Sequence, residues 1–393
     1  MYTLLDHGVF IRDRRRVDGY AAALRRRITP GSVVVDIGTG TGIFALLACE
    51  LGARRVYAIE PGDVIHLARE MAAANGCADR IEFIQSASTR AAPGEPADVI
   101  VSDLRDVLPL FGEHLPAIVD ARRRFLAPGG SLIPARDTLW VSPAHAPSLY
   151  GRYAGPWERN GHGVDMRAGR RRAVNRWRKG RVAPEQLLAP PACWATLDYA
   201  AVESPDVRAT VSWTMEGGGT AHGLSAWFDT TLSEGVCLSN APGEPELVYG
   251  TAFFPFTTPI DLAPGDTVRV DLRAELSGED YVWRWDTRVR RPGAPERATA
   301  DFSQSTIADG APSRRAPRDG SRHIPELGGS RALDRFILMR MDGATSLAEI
   351  AREVCRGYPT RFSTWGEALA YVGDLSEHYS RGPADHGSGS TRP

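Results

Sequence analysis

Blocks of apolar and polar positions between residues 33 and 60 predict a strand, a turn, a helix and a second strand. Val33–Val35 is a β-branched run of the kind found in strands that are buried on both faces. The run ends at Asp36, and three glycines follow at alternate positions: Gly38, Gly40 and Gly42. Residues 43–51 have the length and composition of a helix, and the apolar strand at 56–59 ends at an acid, Glu60. This order is half of a nucleotide-binding βαβ unit.

Apolar periodicity continues on both sides of this unit. Upstream, Tyr20, Leu24 and Ile28 recur at helical spacing. Downstream, the pattern predicts a helix, a strand, a polar loop, a strand and a helix at 63–75, 81–84, 85–89, 98–101 and 113–125. Asp103 follows the last of these strands, and the carboxyl ends of strands line the ligand crevice of an open α/β sheet. Residues 1–141 are therefore predicted to form a Rossmann-like α/β domain with Asp103 in its site.

The pattern changes past residue 142, where short alternating runs replace the helical periodicity. Such alternation is typical of strands with one buried face. In the run YVWRWDTRV, Tyr281, Trp283 and Trp285 share one face. We predict a β-rich acceptor domain, a barrel or a sandwich, over residues 142–290. The basic segment 167–181 within it is either a solvated surface or a docking site for an acidic partner.

The end of the chain returns to helical patterns after a predicted linker. Residues 291–330 are rich in Pro, Gly, Ser, Arg and Asp, which is typical of a linker. Two capping boxes then stand ahead of apolar stripes, Ser346 with Glu349 and Thr364 with Glu367. We predict a small helical, winged-helix-like module over 331–381, and a disordered tail over 382–393.

Composition limits the location and the partners. The chain has 393 residues and a net charge of −1, which gives no general attraction to nucleic acid or to a membrane surface. Its five cysteines are scattered without the spacing of a metal site. No apolar run reaches the length of a membrane span or a signal core. We therefore expect a cytoplasmic protein with no metal, no nucleic-acid partner and no membrane partner.

The glycine spacing separates two classes of nucleotide cofactor. Glycines let the backbone approach a ligand closely, and Glu60 can accept hydrogen bonds from both hydroxyls of a ribose. A dinucleotide fingerprint needs GxGxxG, whereas this chain has GTGTG after Asp36. A nucleoside without phosphates is therefore favoured over NAD, and over glycines that serve packing alone. The VxDxGxGxG pattern resembles motif I of the class I S-adenosylmethionine (SAM) methyltransferases, with Glu60 in the post-I position.

Further details resemble the protein arginine methyltransferase family. The segment Asp13–Tyr20 has the spacing of the family's N-terminal segment, in which an arginine, here Arg16, pairs with the SAM carboxylate. The order of a nucleotide-binding half and a β-rich half also matches. The family's double-E loop, whose two glutamates grip the guanidinium, corresponds to SDLRDVLPLFGEHL. There Asp103 stands at the first glutamate, and Glu113 stands one residue late for the second. The family's Thr-His-Trp loop is replaced by 247–249, Leu-Val-Tyr.

This resemblance implies a cofactor site and an acceptor site. SAM would be held by Arg16, Asp36, Gly38, Gly40, Gly42, Glu60, Ser88 and Thr89. Asp103 and Glu113 would orient the acceptor. Each acid also has a simpler interpretation: Asp103 as a helix cap or an ion pair with Arg105, and Glu113 as an acid at the start of a helix. If both simpler interpretations hold, an oxygen acceptor is favoured.

The C-terminal pattern LMRMDGATSLAEIAREV resembles the PqqD-like peptide-recognition domains. Balanced charge over 331–381 disfavours DNA binding, and a stabilising appendage is the other interpretation. A precursor peptide or a pathway protein would bind this module. Arginine methyltransferases are commonly dimers through an arm in the β half, so the resemblance implies a homodimer, with 157–181 as the candidate arm.

Together the resemblances imply a SAM-dependent N-methyltransferase of bacterial specialised metabolism. Its acceptor would be a guanidine or amine nitrogen of a small molecule or a peptide. One alternative is an O-methyltransferase of a peptide or natural product. Another is a non-catalytic peptide-binding protein on a degenerate methyltransferase fold.

Overall fold

The computed structural model describes residues 3–159, 161–278, 280–293, 298–307, 329–359, 361–362 and 364–379. The chain divides into two units, Met1–Ala311 and Pro312–Pro393, and each is described by itself. Across the described ranges, no helix combines the length and the hydropathy that a bilayer crossing requires.

The first sheet is parallel and lies in the N-terminal part of the first unit. Its strands are β1 (Val33–Ile37), β2 (Arg55–Ile59), β3 (Ile81–Ile84), β4 (Ala97–Ser102) and β5 (Leu126–Ile133). They follow the order β3-β2-β1-β4-β5, and every residue of β1 is buried. All pairs are parallel, so the carboxyl ends of β1, β2, β3 and β4 meet at one edge. This is the α/β arrangement that the apolar pattern predicts.

Helices surround this sheet. They are α1 (Leu4–Arg12), α2 (Arg14–Arg27), α3 (Ile43–Glu50), α4 (Val64–Ala74) and α5 (His114–Arg124), with a short 3-10 helix at Ser88–Arg90. Asp13 separates α1 from α2 because its side chain caps α2, accepting a hydrogen bond from the backbone N–H of Arg16 at 3.1 Å. Tyr20 and Leu24 on α2 are fully buried, as their helical spacing indicates.

Antiparallel strands form the second half of this unit. The second sheet contains β6 (Arg136–Ala144), β7 (Arg178–Lys179), β8 (Ala192–Asp198), β10 (Gly219–Ser233), β11 (Val236–Ser239) and β12 (Ala252–Leu262). The third contains β9 (Val207–Thr214), β13 (Thr267–Ser277), β14 (Asp280–Arg290) and β15 (Ala298–Ser305). Their orders are β7-β12-β10-β6-β8, with β11 beside β10, and β15-β14-β13-β9. Tyr281, Trp283 and Trp285 on β14 are all buried.

Two predicted boundaries differ from the structure. The first domain was predicted to extend to residue 141, but β6 pairs antiparallel with β10 and so belongs to the second sheet. The predicted linker begins too early, because β15 continues the third sheet beside β14. This strand is hard to see in the sequence because its inward face is mixed: Ala300 and Phe302 are only partly buried, and Gln304 is its one buried residue. Residues 308–328 of the predicted linker lie outside the described residues.

The β-rich half also contains two helices that the sequence did not predict. They are α6 (Pro147–Glu158) and α7 (Arg167–Val174). Tyr150 and Ala154 of α6 pack against Val174 of α7 in a small apolar cluster. The basic segment 167–181 therefore supplies a helix and the short strand β7, with most of its arginines outside this cluster.

The second unit consists, in its described residues, of three helices: α8 (Gly329–Leu338), α9 (Leu347–Gly357) and α10 (Trp365–Tyr379). They share an apolar core that includes Leu333, Ile350 and Val372. The predicted capping box of Ser346 and Glu349 is present at the start of α9. No strand occurs in the described part of this unit, so the winged-helix-like form stays a prediction. The predicted tail at 382–393 lies outside the described residues.

Candidate functional site

The glycine turn after β1 adopts backbone conformations that favour glycine. Gly38, Gly40 and Gly42 have φ angles of +71°, +54° and +88°. The backbone N–H groups of Gly38 and Thr39 donate to the carbonyl of Ile59, which ties the turn to the end of β2. A Cβ on Gly40 would lie 3.0 Å from the ring of His7 on α1. The turn therefore runs close to both β2 and α1, and a larger residue would close the space between them.

Two carboxylates stand at this turn. Glu60 accepts hydrogen bonds from the backbone N–H of Gly40 at 3.2 Å and of Gly62 at 2.9 Å. Asp36 is buried and accepts a hydrogen bond from the hydroxyl of Thr39 at 2.6 Å. Burial raises the pKa of Asp36 to about 7. Thus Glu60 lies beside the glycine turn, while Asp36 lies within its base.

The buried carboxyl of Asp36 predicts a pH dependence. Its pKa is about 7 in the folded chain and near 3.8 in the unfolded chain, so the folded state binds more protons between these values. The free energy of unfolding should therefore fall by on the order of a few kcal/mol as the pH rises from 4 to 8. Urea unfolding of wild type and Asp36→Asn at pH 5 and pH 8 tests this. The variant should gain stability relative to wild type at the higher pH, and an equal pH slope in both proteins would contradict the assignment.

Arg16 and Asp103 form a buried ion pair at the same edge of the sheet. The Nη1 of Arg16 donates to Oδ2 of Asp103 at 2.5 Å, and the two side chains are 6% and 8% exposed. The Nη2 of Arg16 donates to the carbonyl of Phe10. Among the described residues, Nε of Arg16 is buried and has no hydrogen-bond partner. Arg16 therefore keeps a buried Nε–H that no described protein group accepts.

Arg105 lies at the centre of a larger buried cluster. Its side chain is fully buried, and its five N–H donors reach five side chains. These are Asp103 from Nε, Asp137 and Thr230 from Nη1, and Tyr20 and Tyr249 from Nη2, at 2.7–3.1 Å. Burial by itself would raise the pKa of Asp103, but Arg105 and Arg16 outweigh it and lower that pKa below its ordinary value. Asp103 is therefore ionised and fully paired.

The cluster continues through Asp137 to α5. The hydroxyl of Tyr199 donates to Oδ2 of Asp137 at 2.5 Å, and Nε2 of His114 lies 3.0 Å from the same hydroxyl. Because Tyr199 gives its proton to Asp137, His114 must donate through Nε2. Burial lowers the pKa of His114 to about 3, so this ring is neutral. The network thus links α5, β6 and the loop after β4.

The structure brings together part of the predicted site. Glu60 contacts Gly40, and Arg16 contacts Asp103. Ser88 and Thr89 lie in the 3-10 helix after β3, where Ser88 is buried and Thr89 is exposed. Glu113 is exposed and lies immediately before α5. Glu113 is the N-cap residue of α5 without a side-chain capping bond. Asp103 pairs with Arg105 and Glu113 opens a helix, so the simpler interpretation of each acid describes what is observed.

Sequence reasoning missed several polar residues of the buried cluster. These are Tyr199, His114, Asp137 and Thr230. A buried Asp137 in the apolar strand β6 is the one signal that could have indicated them, because an unpaired carboxylate there would be costly. Its partners lie 32 and 62 residues away in the chain, so spacing could not identify them.

Comparisons with known proteins agree with this division into halves. Residues 21–133 match the family model "Ribosomal protein L11 methyltransferase (PrmA)". Residues 136–286 match the model "Arginine methyltransferase oligomerization subdomain". The two matches meet between β5 and β6, where the parallel sheet ends and the antiparallel sheets begin.

Two similar proteins are named as protein arginine N-methyltransferases. The chain is 30% identical to "Protein arginine N-methyltransferase 6" of Xenopus laevis over 254 residues, which are 60% of this chain and 73% of that protein. It is also 30% identical to "Probable protein arginine N-methyltransferase 6" of Arabidopsis thaliana over 236 residues, which are 58% of this chain and 54% of that protein.

Solved structures show the same fold. The PRMT1 enzyme-prozyme heterotetrameric complex of Trypanosoma brucei with AdoHcy superimposes with a TM-score of 0.68 at 22% identity, covering 76% of this chain and 96% of that one. Protein arginine methyltransferase 10 of Arabidopsis thaliana gives the same TM-score at 21% identity, with the same shares covered. These likenesses show the shared fold, and the Xenopus laevis relative, 30% identical over 73% of its length, shows that the chain belongs to the protein arginine methyltransferase family.

Proposed function

We propose that this chain is a SAM-dependent N-methyltransferase that acts on a guanidine or amine nitrogen of a small molecule or a peptide. SAM is its cofactor. The observation that carries this proposal is the edge of the parallel sheet, where a glycine turn and Glu60 follow the adjacent strands β1 and β2. The buried Arg16 of α2 reaches this edge through its ion pair with Asp103, which follows β4. The similar solved structures include complexes with AdoHcy and SAH by name.

The residues at this edge fit a nucleoside that carries an amino-acid tail. The spare Nε donor of Arg16 suits the tail's carboxylate, since a charge-assisted hydrogen bond would satisfy a buried group that otherwise has no described partner. Glu60 would accept hydrogen bonds from the ribose hydroxyls. Ser88 and Thr89 would lie beside the adenine. Gly38, Gly40 and Gly42 let the backbone come close, with Asp36 supporting the turn from below.

SAM supplies a methyl group on a sulfonium, and its transfer is an in-line displacement. The chain must therefore hold a lone pair of the acceptor on line with that methyl group and exclude water. We propose that Glu113, which is exposed, contacts the acceptor directly. Asp103 acts from within the buried cluster, because both of its oxygens already accept hydrogen bonds from Arg16, Arg105 or Tyr249.

Transfer to an oxygen is a second candidate, and one observation favours it. Asp103 is paired inside the protein and Glu113 lies at a helix start, so the two acids do not form one buried clamp. A guanidinium needs such a clamp to fix it and to localise its charge. An oxygen nucleophile does not. Mass spectrometry of an acceptor library incubated with labelled SAM separates the two candidates by the atom that is methylated.

Replacing Glu60 with alanine should weaken SAM binding about ten- to thirtyfold, because a charged hydrogen-bond acceptor contributes about 1.5–2 kcal/mol. Isothermal titration calorimetry measures the change. Glu82→Ala is the matched control, since Glu82 is an exposed acid on the neighbouring strand β3 and should leave the affinity unchanged. Equal SAM affinity in the Glu60 variant and wild type would remove Glu60 from the cofactor site.

We also propose a homodimer and a peptide partner for the C-terminal helices. The match of residues 136–286 to an oligomerization subdomain supports the homodimer, and the candidate arm is the segment 157–181, which contains α7. A precursor peptide or pathway protein at the second unit rests on the PqqD-like pattern in its sequence. The setting in bacterial specialised metabolism rests on the same pattern, and the relatives named above come from a frog and a plant.

A further inference from the structure

Arg105 is a guanidinium that the chain itself places against Asp103. Each of its five N–H donors has an acceptor, and its side chain is fully buried. The acceptors come from α2, from the loop after β4, from β6, from β10 and from the segment before β12. A planar fork of five donors matches few arrangements of acceptors, so this complete set fixes the position of Arg105.

The carboxylate of Asp103 is therefore already used. Its Oδ1 accepts from Nε of Arg105 and its Oδ2 from Nη1 of Arg16, while the hydroxyl of Tyr249 lies within 2.9 Å of both oxygens. Asp137 supplies a second negative charge beside Arg105. The cluster therefore holds two cations, Arg16 and Arg105, and two anions, Asp103 and Asp137. A guanidinium acceptor brought to Asp103 would add a third cation next to a sulfonium, and neither oxygen of Asp103 is free to receive it.

We infer that Arg105 is a specificity-determining residue: it occupies the guanidinium position at Asp103, so the reacting group of the acceptor carries no positive charge. This inference rests on the proposed methyl transfer and narrows the acceptors that the site takes. Neutral amines, hydroxyls and carboxylates share the required chemistry, because each offers a localised lone pair. A guanidinium does not, since its lone pairs are delocalised and its charge needs two carboxylates, of which Asp103 is already paired with Arg105 and Arg16.

Methyl transfer to an uncharged or negatively charged acceptor does not need Asp103 to take up a proton. A neutral amine uses its nitrogen lone pair to form the new C–N bond while the C–S bond breaks, and the electron pair of that bond remains on sulfur. The methylated ammonium then loses a proton to water. With an oxygen nucleophile a C–O bond forms instead; a carboxylate has no proton to lose, and a hydroxyl releases its proton to water. In none of these cases does Asp103 accept a proton or a guanidinium.

A rescue experiment tests whether Arg105 fills a guanidinium position. In Arg105→Ala the position is vacated, so millimolar guanidinium chloride should raise the thermal midpoint by about 2–4 °C, whereas ammonium chloride should not. Wild type should show no such rise. Arg288→Ala is the matched control, because it removes an exposed arginine from an ion pair with Asp301. If Arg105→Ala does not fold, Arg105→Ala with Asp137→Asn also removes the acid left unpaired.

An acceptor panel tests the specificity itself. Short peptides that differ only in one Arg, Lys, Ser or Asp are incubated with labelled SAM, and the methylated position is read by mass spectrometry. Wild type should label the amine, hydroxyl or carboxylate peptide, and the double variant should raise guanidine labelling relative to these by about tenfold or more. Guanidine labelling by wild type, or an equal guanidinium response in wild type and variant, overturns the inference. If no peptide is labelled, the proposed function fails for this panel, whereas the rescue result still decides whether Arg105 fills a guanidinium position.

Discussion

Replacing Asp137 with alanine is expected to lower the free energy of unfolding of the first unit by about 3–5 kcal/mol. Asp137 is fully buried and pairs with Arg105 at 2.9 Å, and its other oxygen accepts the hydroxyl proton of Tyr199. Removing it leaves a buried guanidinium with one carboxylate, shared with Arg16, and leaves the hydroxyl of Tyr199 without its acceptor. The cost arises from the charge left behind rather than from the loss of a favourable contact.

Urea unfolding followed by tryptophan fluorescence measures this change, because every tryptophan except Trp365 lies in the first unit. Asp301→Ala is the matched control: its ion pair with Arg288 is about half exposed, so its removal should cost no more than about 1 kcal/mol. The loss of unfolding free energy in Asp137→Asn should lie between the losses in Asp137→Ala and Asp301→Ala, since an amide oxygen can still accept a hydrogen bond. A cost for Asp137→Ala as small as that of the control would show that the cluster is not electrostatically coupled.

The nucleotide-binding half could be predicted from sequence because its signals are local. A strand that is buried on both faces needs a continuous apolar run, which Val33–Val35 provides. A backbone with φ above zero favours glycine, so the three alternating glycines indicate the turn. The β-rich half was predicted less well. β6 has the same apolar character as a parallel strand, and only its pairing with β10 shows that it belongs to the second sheet. The edge strand β15 turns only Ala300 and Phe302, both partly buried, toward the core beside a buried Gln304, so its apolar face is too short to predict a strand.

In the candidate site, too, contacts within one segment could be predicted from the sequence, and contacts between distant segments could not. The capping of α2 by Asp13 and the inward position of Arg16 follow from a spacing within one segment. The cluster around Arg105 does not, since its partners Tyr20, Thr230 and Tyr249 lie 85, 125 and 144 residues away. From the sequence, an Arg two residues after Asp103 indicates at most a local ion pair. The fold alone makes it a fully satisfied guanidinium that competes with an acceptor for the same acid.

Replacing Arg16 with methionine is expected to weaken SAM binding by about 100-fold or more, because a charge-assisted pair with the carboxylate of SAM contributes about 3 kcal/mol. We expect the largest loss of SAM affinity at Arg16 for three reasons. Its side chain is buried, Asp103 and Phe10 hold it in place, and its Nε donor has no acceptor among the described residues. Methionine keeps much of the length of the arginine side chain, whose guanidinium carbon lies 5.3 Å from the centre of the Phe44 ring.

Calorimetric titration of the variant with SAM and with S-adenosylhomocysteine measures the loss, and the two ligands should be affected equally because both carry the carboxylate. Arg15→Met is the matched control: Arg15 precedes Arg16 on α2 but pairs with Glu244 in a partly exposed position, so its removal should leave the affinity unchanged. The thermal midpoint without ligand separates binding from folding, because Asp103 retains Arg105 and Tyr249 as partners in the variant. If the Arg16 variant binds SAM as tightly as the Arg15 variant, the spare donor of Arg16 does not serve the cofactor, and its role is confined to the buried ion pair.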